Sequence, residues 1–275
     1  GNINLESLEE ELKQPFSRGK PIATVVHYSG IPVDVEHLNR SLQNPDAIII
    51  EDAAHAVGTK YLDNSPVGSC RHSDMTMFSF HPVKGITTGE GGVITTNSED
   101  LYKRLLLYRN NGLVRDSEKI KEMKQPWYYE IDCYSGNFNF TDFQAALGLS
   151  QLKKLDQFVL KRQELMKVYR ECLKNCSYIS MPPEIYDNLS SWHLCPLKID
   201  FSRLEFSREE LMENLREKGI LTQAHYIPLY KDLYSLRNSK NWPEDFPEME
   251  NFYSQELSFP LFYTLTEKEV RGICA

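Results

Sequence analysis

No apolar run in this 275-residue chain approaches the roughly 20 residues that a membrane helix needs. Basic clusters are also missing. Asp plus Glu number 39 against 31 Lys plus Arg, a net charge of -8, which lacks the footprint of a nucleic-acid binder. Room remains for a local basic pocket that takes a phosphorylated ligand. The six cysteines (Cys70, Cys133, Cys172, Cys176, Cys195 and Cys274) are scattered. Only Cys172 and Cys176 sit close, four apart on a predicted helix, with no second pair and no nearby histidine to complete a zinc site. Reduced core thiols of a cytoplasmic protein are the expectation. Internal repeats, low-complexity stretches and a signal-peptide pattern are absent. Gly1 is not a methionine, and GNINLESLEEEL opens as if in mid-protein.

What is present is an ordinary globular composition, 41% hydrophobic and 25% charged, over a length that suits one large or two modest domains. Short apolar runs with β-branched residues predict buried strands at PIATVVH (21–27), AIIIE (47–51), MTMFSF (75–80) and GGVITT (91–96). Helices are predicted over Ser7 to Leu12, Val35 to Leu42, and from the Ser98 cap to about Arg109, where Asn110-Asn111-Gly112 stops the helix. Strands alternating with helices predict a largely parallel α/β sheet with both faces covered. A long helical stretch is predicted from about Asp142 to Cys176, with Leu152, Leu155, Phe158, Leu165 and Tyr169 on one face. Beyond it, HLCPLKID (193–200) reads as a strand, Ser207 with Glu210 as a capping box, Gly219 as a helix stop, and LTQAHYIPLY (221–230) as a short strand and turn. A second, smaller α+β domain is therefore expected after the long helix.

The richest segment is FSFHPVKGITTGEGG, residues 78–92. Lys84 lies there between an apolar strand and a turn of small residues. A desolvated lysine has a lowered pKa, and its neutral amine forms Schiff bases with carbonyls. Asp52 ends the preceding predicted strand, and a carboxylate there can keep a pyridinium nitrogen protonated. This pairing suggests a pyridoxal phosphate enzyme. Asp52, His55, Ser79 and Lys84 all fall at or just past strand ends, where ligands bind in open α/β sheets. Each has a plainer reading: Lys84 as a snorkelling strand-edge lysine, Asp52 as a helix N-cap, His55 as a structural histidine. Ser79 could bind a cofactor phosphate. Trp192 and His193 are read as core residues, and Glu90 as a turn cap or loop contact. His27 and Tyr28 end a strand at the ligand edge.

EDAAHAVG (51–58), FSFHPVKGITTGEGG, GNFNFTDFQAALGLSQL (136–152), HLCP and AHYIPLY occur in order along the chain. Together they resemble the DegT/StrS family of sugar aminotransferases, over essentially all 275 residues. The resemblance implies the aspartate-aminotransferase-like fold (pyridoxal-phosphate transferase fold type I). Residues 1–155 would be the remainder of the large cofactor-binding domain and 156–275 the small C-terminal domain. It implies an enzyme that moves an amino group from L-glutamate to C4 of a UDP-linked 4-keto-6-deoxy sugar, of the pseudaminic-acid type, in bacterial surface-sugar biosynthesis. The cofactor would be pyridoxal 5'-phosphate. Lys84 would be the Schiff-base lysine and the proton-transferring base, Asp52 the partner of the pyridine nitrogen, His55 the contact to the ring oxygen, and Ser79 a phosphate ligand. Asn137 would reach the phosphate of the neighbouring subunit in a homodimer with shared sites. His225 and Tyr226 would lie near the sugar nucleotide.

Two departures stand out. Relatives usually carry Arg where Asn139 stands, which leaves an anion contact or dimer pair open. They also carry on the order of a hundred further residues ahead of the point matching Gly1, including the helix start that cradles the phosphate. The chain is therefore read as a fragment of a longer protein or as a truncated relative. The alternatives are an inert or regulatory family member and a pyridoxamine-dependent sugar dehydratase. Dehydratases of that kind carry histidine in place of the lysine, so Lys84 weighs against the second.

Overall fold

A computed structural model of the chain describes residues 1–13, 19–42, 47–115, 120, 125–231 and 245–275. Four strands form the sheet that carries the strand-end residues: β1 (Ile22–Val26), β2 (Ile48–Asp52), β3 (Met75–Ser79) and β4 (Gly92–Thr95), in that spatial order. β1, β2 and β3 are parallel, and the register sets Asp52 opposite Val26 on one side and Met77 on the other. β4 returns antiparallel along the edge, with Ser79 opposite Gly92. β1 buries Ala23 and Val25, which pack with Leu12 of α1 (Leu5–Leu12), Val35 and Leu38 of α2 (Val35–Ser41), and Ile49.

Only one face of this sheet is covered among the described residues, which corrects the expectation of two covered faces. The alternate residues of β1 point the other way, leaving Ile22 60% and Val26 43% exposed. Val93 and Ile94 of β4 are exposed as well.

α3 (Glu99–Arg109) starts where Ser98 accepts the Leu101 N–H, and it stops as predicted. Asn111 and Gly112 take φ of 56° and 66°. A Cβ on Gly112 would lie 2.1 Å from the Cys133 carbonyl oxygen, so the position admits only glycine. β5 (Leu113–Val114) and β6 (Glu130–Ile131) form a small antiparallel ribbon beside it.

The predicted long helix is two helices. α4 (Asp142–Leu152) opens on a Thr141–Gln144 capping box, and α5 (Leu155–Leu173) follows a break at Lys153 and Lys154. The apolar spacing runs through the break, but the two pieces meet different surroundings. α4 buries no residue, whereas α5 buries Leu165, Met166, Val168 and Tyr169. Tertiary contact, not periodicity, decides where each helix ends.

The C-terminal part is built on β7 (Ile179–Ser180), β8 (Cys195–Ile199) and β9 (Glu256–Phe259), all antiparallel neighbours. α6 (Arg208–Glu217) has the predicted Ser207–Glu210 capping box and ends before Gly219, at φ 78°. α7 (Pro247–Gln255) leads into β9, and α8 (Glu267–Ile273) packs on α5. Leu165, Met166, Tyr169, Trp192, Leu197 and Leu257 form the core of this part.

The strand expected over 221–230 is a single residue pair, Gln223 with Ser258, followed by a 3-10 turn at Leu229–Lys231. The His225 N–H goes to the Glu256 carboxylate at 2.6 Å and is lost to any ladder. β8 likewise begins at Cys195 and not at residue 193, because the His193 N–H donates to the Ser29 carbonyl. All six cysteines are free, and no group of metal-ligating side chains occurs among the described residues. No described helix is long and apolar enough to cross a membrane.

Candidate active site

The site begins at the carboxyl ends of β2 and β3. Asp52 closes β2, and its Oδ1 accepts the Ala54 N–H at 3.0 Å, which turns the chain toward His55. After β3 the chain makes a tight loop. Lys84 N–H donates to the His81 carbonyl at 2.9 Å, and Thr88 N–H and Thr87 Oγ1–H both donate to the Phe80 carbonyl. This loop holds Lys84 half-buried. Burial lowers the pKa of its ammonium, and the negative charge of Asp52 partly restores it.

Three histidines gather within reach of the Lys84 charge: His55, His193 and His225. The rings of His55 and His193 pack with centroids 4.3 Å apart. Burial, then the charges of Lys84 and His225, push His55 down to about 3. Burial, then neighbouring His55, holds His193 far below its ordinary value. Burial followed by Lys84 also lowers His225. All three are therefore neutral at neutral pH.

The tautomer of His55 follows from its neighbours. Ser29 N–H donates to Nδ1 at 3.3 Å, so the ring proton sits on Nε2, which faces the Tyr226 hydroxyl at 3.2 Å. Ser29 holds a left-handed φ of 61°, a conformation that costs on the order of 1 kcal/mol and persists only when its surroundings demand it. Those demands are visible: its Oγ–H donates to Leu194 O at 2.9 Å, and its carbonyl accepts from His193. Gly30 follows at φ 88°, where a Cβ would stand 2.9 Å from the His55 carbonyl oxygen. The bend after β1 thus locks His55 and His193 together.

Six of the seven predicted site residues lie around this point. Lys84, Asp52, His55 and His225 interact electrostatically, Tyr226 bonds to His55, and Ser79 ends the strand that leads into the lysine loop. Asn137 does not join them. It is exposed, bridges Asn110, and accepts from both the backbone and side-chain nitrogens of Asn139 at 3.1 and 3.0 Å. Asn139 also donates to Asn110 Oδ1 at 2.9 Å, so it ties the segment into a local asparagine network.

Several participants escaped the sequence reading. Trp192 is core, fully buried as expected, but its neighbour His193 belongs to the site. Nothing in the local sequence separates the two. Glu256 joins through the His225 backbone N–H, and Tyr28, read from the sequence as lying at the ligand edge, through the His225 carbonyl. Glu90 uses its carbonyl, accepting from Thr88 Oγ1 and Gln144 Nε2. Glu51 is a buried structural carboxylate. It accepts from His27 Nε2 and Thr76 Oγ1, each at 2.8 Å, and from the hydroxyls of Tyr61 and Ser73. A separate surface pocket, lined by Pro32, Asp34, Glu36, Tyr61 and His72, shares no residue with the lysine group.

The donor set fits a pyridoxal ring. His55 offers a fixed Nε2–H, suited to a phenolate oxygen, Asp52 a carboxylate, and Lys84 an amine of lowered basicity. This layout places the chain among the aspartate-aminotransferase-like transferases of fold type I. Aligned on the structure of Helicobacter pylori PseC, described as an aminotransferase of pseudoaminic acid biosynthesis, it gives a TM-score of 0.86 at 30% identity over 99% of this chain and 69% of that one. The chain belongs to the DegT/DnrJ/EryC1/StrS aminotransferase family, whose model matches residues 1–275. A UDP-4-amino-4,6-dideoxy-N-acetyl-beta-L-altrosamine transaminase of Campylobacter jejuni is 33% identical over 99% of this chain and 69% of its own length. The sugar aminotransferase Spr1654 of Streptococcus pneumoniae is similar in both its PMP and PLP forms, with TM-scores of 0.83 and 0.82 at 26% and 25% identity.

Proposed function

We propose that the protein is a transaminase that moves an amino group from L-glutamate to C4 of a UDP-linked 4-keto-6-deoxy sugar, with pyridoxal 5'-phosphate as cofactor. The observation that carries this reading is the half-buried Lys84 amine, set between Asp52 and a group of neutral histidines. Substrate and pathway come from the likeness to pseudaminic-acid-type transaminases.

When bound, pyridoxal phosphate supplies the electron sink for the carbanion at the amino-bearing carbon. The protein's own residues do the rest. Asp52 would keep the ring nitrogen protonated, and His55 Nε2–H would donate to the ring oxygen. Ser79 contributes to holding the phosphate. Lys84 would hold the cofactor carbonyl through its amine and, as a free amine, would be the group that takes up and returns the proton moved in the reaction. A lowered amine pKa suits that task, because a general base works best with a pKa near the working pH. His225 and Tyr226 line the sugar side.

We read residues 1–155 as the remainder of the large cofactor domain and 156–275 as the small domain. Asn137 is proposed to serve the neighbouring subunit of a homodimer. Its segment is rich in exposed aromatics (Tyr134 98%, Phe138 70% and Phe143 91%), as expected of a surface that meets a partner.

Borohydride reduction in the presence of pyridoxal phosphate, followed by peptide mass mapping, tests the assignment. A phosphopyridoxyl adduct on Lys84 is expected. An adduct confined to other lysines, or none, overturns it.

A further inference from the structure

The loop bearing His225 is held by the buried carboxylate of Glu256, which no local pattern marks out. Glu256 Oε2 accepts the His225 backbone N–H at 2.6 Å. Its Oε1 accepts the Ser258 hydroxyl at 2.6 Å. The Tyr28 hydroxyl is shared between the His225 carbonyl at 3.0 Å and Glu256 Oε1 at 3.3 Å. Ser258 Oγ in turn lies 2.9 Å from His225 Nδ1. Both ends of the His225 peptide unit and one ring nitrogen are therefore fixed by the same three side chains.

A hydroxyl has one proton to give. Ser258 gives it to Glu256, which is 1% exposed. Ser258 Oγ is then left as an acceptor toward His225, so Nδ1 must carry the ring proton. The ring is neutral, its pKa lowered by burial and by Lys84, so Nε2 keeps its lone pair. In water neutral imidazole is free to place its proton on either nitrogen, and here the buried carboxylate selects one. Burial raises the Glu256 carboxyl above its ordinary value, while the bonds from Ser258, His225 and Tyr28 pull it back.

We infer that Glu256 and Ser258 are positioning residues that hold His225 as the Nδ1–H tautomer, so that Nε2 accepts a hydrogen bond from a donor on the substrate, a sugar hydroxyl or an amide N–H. The inference rests on the proposed function in one respect: that the sugar lies on the His225 side of Lys84. Tyr226 complements it. With the His55 ring proton on Nε2, that nitrogen offers no lone pair to Tyr226, so the Tyr226 hydroxyl proton is free to donate elsewhere. The two adjacent residues then present one acceptor and one donor, a pair matched to hydroxyl groups, which both give and receive.

The test is long-range proton–nitrogen correlation NMR on the protein labelled with nitrogen-15 in histidine. The His225 resonances are assigned by their loss in His225→Gln. Wild type is expected to show protonated Nδ1 and bare Nε2 at neutral pH. A protonated Nε2 overturns the inference. Ser258→Ala is expected to release the preference and give Nε2–H or a mixture, and an unchanged tautomer overturns the relay. In steady-state kinetics Ser258→Ala should raise KM for the keto sugar about tenfold, the size of one lost hydrogen bond, with a smaller effect on kcat. An unchanged KM overturns the link to substrate. If wild type shows no transamination, the proposed function fails, and the tautomer measurement still decides the relay.

Discussion

The two sheets of this molecule solve opposite problems. Around the C-terminal three-stranded sheet, Leu165, Met166, Tyr169, Trp192, Leu197 and Leu257 are fully buried in one apolar cluster. The four-stranded sheet buries one face and leaves Ile22, Val26, Val93 and Ile94 of its strands exposed. It also buries a polar network, Glu51, His27 and Thr76, all fully buried and joined by hydrogen bonds. The C-terminal sheet is chiefly a packing device, with Glu256 and Ser258 of β9 reaching the His225 loop. The other is a platform whose strand ends carry charge, and whose hydrogen bonds keep those ends in place. The chain spans 69% of the length of the Campylobacter relative, and the open strand face is where a parallel sheet ordinarily receives further cover.

Substitutions can separate the two roles. Lys84→Ala should lower the transamination rate by at least about a thousandfold, at the upper range of general acid–base effects, and leave the urea midpoint unchanged. A comparable loss of stability would mean that Lys84 holds the loop and does not act chemically. Trp192→Ala should show the reverse. It removes a fully buried indole whose Nε1–H donates to Asp187 O at 3.3 Å, and should cost about 3–5 kcal/mol in urea unfolding. A loss under about 1 kcal/mol would show that the C-terminal core relaxes around the cavity, against the rigid packing described here.

Glu51→Gln probes the platform and should cost about 1–3 kcal/mol, because four donors converge on the carboxylate it replaces. Burial alone would raise the Glu51 pKa, but the bonds from His27, Ser73 and Tyr61 hold it below its ordinary value of 4.5. A carboxyl with a depressed folded-state pKa contributes stability above that ordinary value and loses it as pH falls through the folded-state value. The difference between wild type and Glu51→Gln should therefore be full at neutral pH and shrink below about pH 4.5. A difference that grows on acidification would contradict the network.

Ser207→Ala is the smallest change. Ser207 accepts the Glu210 N–H at 3.2 Å, and its loss should cost about 1 kcal/mol with no change in activity. An activity loss there would blur the division between the two sheets.

How far the sequence reached depends on whether a residue's partners are near it in the chain. The β1 to β4 strands, α3 with its Ser98 cap and Asn-Asn-Gly stop, and the Ser207–Glu210 box were all legible, because short-range patterns specify them. Lys84 and Asp52 were legible because strand ends in an open α/β sheet are where ligands bind. His193 was not. It became part of the site through Ser29, which is 164 positions away by residue number and binds both it and His55. The break between α4 and α5 was equally hidden, since the apolar spacing crosses it without interruption.

By itself, then, the sequence determined the alternation of strands and helices, the helix caps and stops, and the identity of the lysine and aspartate that face each other. These depend on local backbone preference and on motifs that travel with their neighbours. Only the tertiary structure decided which sheet face stays open, that three histidines meet beside Lys84, and which nitrogen of His225 carries its proton. Those outcomes depend on groups that are distant along the chain and close in space, where burial strips water from a side chain and leaves its few remaining partners to set its charge and orientation.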